Sequence, residues 1–205
     1  MSLQPRLILA SSSLYRQELL SRLQFAFIAR SPNIDETPLE YELPPQTAQR
    51  LARLKAEAIA LIEQDAVIIG SDQVAMLDGE QIGKPGTHSN ALSQLKKMQG
   101  RKVVFHTALC VFDNRSIKSG PQLQIKTVGT TVVFRTLSDQ QLDAYLRIEQ
   151  PYDCAGSAKN EGLGIALITS IRSDDPTALT GLPLIALSDM LSNAGFRFFS
   201  NPPSA

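Results

Sequence analysis

Apolar residues fall in short runs whose spacing changes repeatedly along the chain, and each change marks an element. Arg6-Leu-Ile-Leu-Ala10 is a continuous β-prone run, as in a strand covered on both faces, and three serines separate it from an apolar-periodic stretch, Leu14 to Leu23. That order predicts strand, tight loop and helix. Phe25 to Ala29 reads as a second strand, and Ser31 to Pro45, polar, acidic and Pro-rich, as a loop long enough to be functional. Thr47 can cap a helix running to about Ile62. Ala66 to Ser71 is a buried strand, and Asp78-Gly79 between Val74-Ala-Met-Leu77 and Glu80-Gln-Ile82 is a hairpin turn.

The second half repeats the mixture. Ser89 to Gln99 is a helix closed by Gly100, and Val103 to Phe112 and Gln124 to Phe134 are strands. Ser138-Asp-Gln-Gln141 has capping-box spacing, launches a helix carrying Leu142, Tyr145 and Leu146, and Pro151 ends it. Asp153 to Gly164 is a loop of Gly and small polar residues, Ile165 to Ile171 a strand, and Pro183 opens a last helix with Leu184, Leu187, Met190 and Leu191 inward. The pattern is mixed α/β, with helices covering a long, partly antiparallel sheet. Composition marks no internal boundary, so residues 1–199 are expected to form one domain of two lobes about a cleft, followed by a disordered tail, Ser200 to Ala205.

Composition narrows the function classes. With 43% hydrophobic and 20% charged residues in 205, the chain is globular, not disordered, collagenous or coiled coil. Twenty basic and twenty acidic residues cancel, so no global positive field exists to bind nucleic acid, and an anionic ligand must be met by a few gathered Lys and Arg side chains. Cys110 and Cys154 are too few for a disulfide framework or a zinc site, which suits a reducing compartment. Leu7 to Ala10 is too short for a signal-peptide core, and no stretch approaches the about 20 apolar residues of a membrane span. A cytoplasmic protein with no membrane partner is expected.

Several residues are candidates for chemistry. In the helix from Thr47, Ala48, Leu51, Ala52, Ile59 and Ile62 fall on one stripe, and Lys55 lies in its middle. An ammonium there requires an acid or a bound anion above it, unless it reaches water from the stripe's edge. The strand from Ala66 delivers Asp72 at or near its carboxyl end, where α/β folds place ligands; a carboxylate there can hold a divalent metal, deprotonate a water, or merely open the turn. Ser11-Ser12-Ser13, between strand and helix, offers hydroxyls and free N–H groups to an anion, or simply a helix cap. Arg16, one turn in, can clamp a phosphate or stand solvated. Asp35-Glu36 is a second acidic pair and Lys84 follows the hairpin. His88 and His106 lack partners at metal-ligand spacing and read as a surface and a strand residue. Neither a P-loop nor a Rossmann glycine motif is present.

In order, Leu9-Ala10-Ser-Ser-Ser13, Tyr15-Arg16-Gln-Glu-Leu-Leu20, Asp35-Glu36, Leu51-Ala52 before Lys55-Ala56, Ile69-Gly-Ser-Asp72-Gln73, Gly83-Lys84-Pro85 and Gly181-Leu-Pro183 resemble the Maf family of nucleoside triphosphate pyrophosphatases over about Leu7 to Gly195. Glu149-Gln-Pro151, Cys154-Ala-Gly-Ser157 and Lys159-Asn-Glu161-Gly162 resemble its subgroup acting on 7-methyl-GTP. The resemblance implies an elongated mixed sheet flanked by helices with a central cleft, similar to the inosine triphosphate pyrophosphatases, and a possible homodimer. It implies hydrolysis of the α–β phosphoanhydride with Mg2+ or Mn2+, Asp72 as proton acceptor, metal ligand or both, and Glu36 at the metal. By the same resemblance Ser11, Ser13, Arg16, Lys55 and Lys84 bind phosphate, and Tyr15, Gln73 and Glu161 select the base. Tyr15 then offers a ring to a cationic base, Glu161 a carboxylate to two guanine N–H groups, and Gln73 a donor to a carbonyl oxygen. Leu14, Tyr15 and Ala158 stand where the family or subgroup commonly has Pro, Trp and Phe. A nucleotide-binding regulator of septum formation, with the pocket and no turnover, is the alternative the resemblance allows.

Overall fold

A computed structural model describes residues 4–115 and 122–199; the tail at 200–205 lies outside the described residues. In chain order the elements are β1 (Leu7–Ala10), α1 (Leu14–Ser21), β2 (Phe27–Arg30), α2 (Pro44–Ala60), β3 (Val67–Leu77), β4 (Glu80–Ile82), α3 (His88–Met98), β5 (Lys102–Asp113), β6 (Gln122–Phe134), α4 (Asp139–Glu149), β7 (Ile168–Ser173) and α5 (Leu184–Asn193). Among the described residues, seven strands form one mixed sheet ordered β2-β1-β3-β5-β6-β7, with β4 paired to β3. β1 runs parallel to β2 and β3, and the remaining pairs are antiparallel. The fold is mixed α/β, as expected.

Burial on both faces explains the short apolar strand. Leu7 and Leu9 pack with Leu19, Leu20, Leu187 and Leu191 of α1 and α5, whereas Ile8 and Ala10 pack with Ala48, Ala52 and Ala56 of α2. All four strand residues are buried, so an unbroken apolar run is what this position requires. A third cluster joins Phe105, Val132 and Phe134 to Leu95, Met98, Leu142 and Leu146 of α3 and α4. The contact of α2 with β3 is close: a Cβ on Gly70 would stand 2.1 Å from the carbonyl oxygen of Ala52, so only glycine fits.

Four local expectations change. Thr47 does not cap α2; the helix begins at Pro44, whose missing N–H suits the first turn, while Gln46 Oε1 accepts from the Leu43 N–H and Thr47 is buried. The strand expected to end at Ser71 continues to Leu77, because its polar residues 71–73 find buried partners and the antiparallel pairing with β5 runs through them. Ile165 to Leu167 belong to a 3-10 turn, Leu163–Leu167, and β7 starts at Ile168. His88 is only half-buried, yet its Nε2 lies 2.8 Å from Asp143 and its Nδ1 3.0 Å from the Tyr152 hydroxyl, tying α3 to α4. The capping box at Ser138 and Gln141, and the Asp78-Gly79 turn joining Leu77 to Glu80, are as expected.

Candidate active site

β1 stops at Ala10 while β3 runs on beyond Ile69, the last β3 residue that pairs with it. Asp72 therefore lies within a strand and not at its carboxyl end, but it stands just past the end of its parallel neighbour, where the sheet opens. A cleft of about 850 Å3 occupies that opening. Ser11, Ser13, Tyr15, Arg16, Glu36, Lys55, Asp72, Gln73, Lys84 and Glu161 all line it. These ten positions come from six separate stretches of sequence.

The centre is an ion triad. Lys55 projects from the middle of the apolar stripe of α2, and its Nζ lies 2.6 Å from Asp72 Oδ1 and 2.7 Å from Glu36 Oε1. Its side chain is 7% exposed, which answers the choice between an anionic partner and a reach to water in favour of the partner. Burial raises the Asp72 pKa above the ordinary carboxylate value, against the pull of Lys55 and Arg16. Burial also pushes Glu36 upward, but the hydrogen bond and charge of Lys55, with Lys84 and Arg16, hold it below its ordinary value. Two carboxylates on one ammonium thus sit on opposite sides of the usual range.

The loop carrying Glu36 is anchored by a residue the sequence reading did not single out. Glu42 accepts from the Leu39 N–H, the Thr47 hydroxyl, and Nε and Nη2 of Arg50, which also donates to the Thr37 carbonyl. Nothing in the local spacing marks this, since the partners lie up to eight residues away on the helix. Beside the triad, Ser13 Oγ caps α1 by accepting from the Arg16 N–H, and Ser11 Oγ accepts from the Ser13 N–H. The Arg16 guanidinium donates through Nε to the Gly181 carbonyl at 2.9 Å and through Nη1 to Ser11 at 3.5 Å, which fixes its planar fork at the cleft. Lys84 is exposed.

Gln73 alternates with Asp72 on β3 and so faces the other side of the sheet. Its Nε2 donates to the carbonyls of Ala178 and Leu179, both at 3.0 Å, and lies 2.9 Å from Thr107 Oγ1. The expectation that Gln73 offers a donor to a ligand carbonyl is therefore corrected: its donors are held by the protein, and the group it can present is the Oε1 acceptor. Tyr15 is 36% exposed, and Lys159 Nζ lies 5.9 Å from its ring centroid. Phe105, Val132, Phe134, Ile168 and Leu179 add an apolar wall. Cys154 also lines the cleft, and burial, reinforced by Asp153, pushes its thiol up to about 12, which disfavours the thiolate.

The Maf-like protein family matches residues 6–194. The chain belongs to the Maf family. Among similar relatives is the 7-methyl-GTP pyrophosphatase of Cupriavidus metallidurans, 60% identical over 195 residues that cover 95% of this chain and 96% of that protein. The protein of the same name from Burkholderia thailandensis is 60% identical over 204 residues, covering 98% and 93%. That from Ralstonia nicotianae is 58% identical over 198 residues, covering 97% and 100%. A solved structure, that of the Staphylococcus aureus Ham1 protein, aligns with a TM-score of 0.43 at 20% identity over 65% of this chain and 72% of that one. In this member, Ala10 to Arg16 and Asp72 to Gln73, from the stretches that carry the resemblance, line the cleft. Among the described residues no helix is long and apolar enough to cross a membrane.

Among the described residues no group of three or more His, Cys, Asp or Glu side chains converges as a metal cage. Mg2+ and Mn2+ commonly take only one or two carboxylates, completing their shell with substrate phosphates and water, and Glu36 and Asp72 are two hard oxygen donors on one side of the cleft. The donor set fits a cation that arrives with a polyphosphate.

Proposed function

We propose that this Maf protein is a metal-dependent nucleoside triphosphate pyrophosphatase that hydrolyses 7-methyl-GTP to 7-methyl-GMP and diphosphate, removing a modified nucleotide from the pool. The observation that carries the reading is the convergence of Arg16, Lys55 and Lys84 with Glu36 and Asp72 in one cleft of a chain with no net charge. A triphosphate brings close to four negative charges, and this is where the protein concentrates its answer to them. The names of relatives about 60% identical over nearly the whole chain support the same substrate.

In this reading Arg16, Lys84, and the Ser11 and Ser13 hydroxyls hold phosphate oxygens, and the Arg16 fork is aligned beforehand by Gly181. Glu36 and Asp72 would hold the divalent cation, which when bound supplies charge neutralisation at the phosphates. Asp72 accepts the proton of the attacking water: the water oxygen bonds to the α-phosphorus, the bond from that phosphorus to the bridging oxygen breaks, and diphosphate leaves with the electron pair. Lys55 keeps Asp72 ionised and aimed despite its burial. The base lies against the Tyr15 ring, where a cationic methylated guanine gains about 0.5 to 2 kcal/mol over a neutral one. Glu161 and Gln73 Oε1 are acceptors for guanine N–H groups.

The test is diphosphate release with Mg2+ or Mn2+ across a nucleotide panel. Release fastest from 7-methyl-GTP is expected. Nucleotide-induced thermal stabilisation with no release from any nucleotide would replace this reading with that of a binding regulator.

A further inference from the structure

Glu149 is the last residue of α4, where the helix dipole disfavours an anion, yet its side chain is only 13% exposed. A carboxylate held there needs compensation, and the loop that follows supplies it. Lys159 Nζ lies 2.9 Å from Glu149 Oε1, and the Leu163 N–H donates to Glu149 Oε2 at 2.7 Å. The loop is wrapped so tightly that a Cβ on Gly162 would stand 2.6 Å from that carboxylate, so a side chain there would push the carboxylate aside. Tyr145, also on α4, fixes the start of the loop by accepting from the Lys159 N–H and donating to the Ser157 carbonyl.

The consequence is a division of labour within four residues. Ala158, Asn160 and Glu161 face the cleft, whereas Lys159 turns to Glu149 and to the ring of Tyr15, which lines the cleft from α1. The ammonium is 5.9 Å from the ring centroid. Tyr15 thus lines the cleft while its ring is held beside a cation that Glu149 anchors.

We propose that Lys159, held by Glu149, is a positioning residue for base recognition: it fixes the Tyr15 ring in the orientation against which the nucleotide base stacks, and Glu149 neutralises it so that it does not repel a cationic base. The inference rests on the reaction proposed above and names two residues that serve its specificity without touching the phosphates. Because the pair acts through Tyr15, its effect falls on substrate binding and leaves the chemical step to Asp72 and its neighbours.

The experiment is a double-mutant cycle read as KM and kcat for 7-methyl-GTP and GTP. Lys159→Met keeps the apolar stem and removes the charge; it is expected to raise KM for 7-methyl-GTP about tenfold with kcat changed less than about twofold. Lys159→Arg should restore KM, and Glu149→Gln should raise KM more for 7-methyl-GTP than for GTP, because the unneutralised lysine then repels the methylated base. In a Tyr15→Ala background Lys159→Met should add almost nothing. A full additional loss in that background, or a fall in kcat at constant KM, would overturn the assignment. If the wild type releases no diphosphate, the proposed reaction fails but the pair is still tested by calorimetric Kd for 7-methyl-GTP, and an unchanged Kd in Lys159→Met overturns it.

Discussion

Lys55 and Asp72 meet at 2.6 Å with side chains only 7% and 10% exposed, yet burial still leaves Asp72 with a raised pKa. The pair does not fully offset the desolvation of the carboxylate.

Asp72→Asn separates stability from turnover. A folded-state pKa above the unfolded value of 3.8 means that the folded chain holds the proton more tightly. Its stabilising contribution is therefore present below pH 3.8 and lost as pH rises through the folded value, so at pH 7 the ionised Asp72 costs stability. In metal-free buffer Asp72→Asn is expected to melt no lower than wild type, with Lys55 still paired to Glu36, while diphosphate release falls about 10²- to 10⁴-fold. A destabilised variant with wild-type turnover would reverse both assignments.

Gln73→Glu tests the donor assignment on the other face of β3. The substitution replaces an NH2 that donates to the Ala178 and Leu179 carbonyls with an oxygen that only accepts when ionised. A loss of about 3 kcal/mol is expected from denaturant unfolding at pH 7. The loss should shrink below pH 4, where the acid is protonated and can donate again. Full stability at pH 7 would mean that the amide nitrogen is not what the loop from Ala178 to Leu179 requires.

Much of this architecture could be read from residue order. The both-face burial of Leu7 to Ala10, the Ser138 capping box and the Asp78-Gly79 turn follow from local chemistry that no tertiary contact overrides. The continuity of β3 did not, because Ser71-Asp72-Gln73 resembles a strand end until Ala108, Lys55 and Ala178 satisfy it. The same division holds at the cleft. Its ionised side chains announce themselves by type, whereas the Gly181 and Ala178 carbonyls that orient Arg16 and Gln73 are main-chain atoms with no signature in sequence.

Glu42→Gln should loosen the segment that carries Glu36. Hydrogen bonds, first from Arg50, outweigh desolvation and hold the Glu42 carboxyl down to about 2, against an ordinary 4.5. Its contribution is thus present above pH 4.5 and lost as pH falls through about 2. Glu42→Gln is expected to lower stability at pH 7 by about 2 kcal/mol, with the difference from wild type fading toward pH 2. Thermal melts over that range, and a raised metal requirement for turnover, are the readouts; a pH-independent difference would place the effect in packing.

Metal binding should depend on nucleotide. In the free protein both Glu36 and Asp72 already hold the Lys55 ammonium, so an entering cation gains two carboxylates only against a resident positive charge. A bound polyphosphate changes that balance, because its oxygens complete the cation's shell and offer Lys55 a second anion. Since 1 kcal/mol moves the melting temperature of a chain this size by about 2–4 °C, millimolar Mg2+ alone is expected to shift it by less than about 1 °C. Mg2+ with a non-hydrolysable 7-methyl-GTP analogue should shift it by several degrees more than the analogue alone. Lys55→Met removes the competitor and should let Mg2+ stabilise the nucleotide-free protein, while abolishing turnover. An equal shift by Mg2+ with and without nucleotide in the wild type would show that the two carboxylates form a metal site unaided.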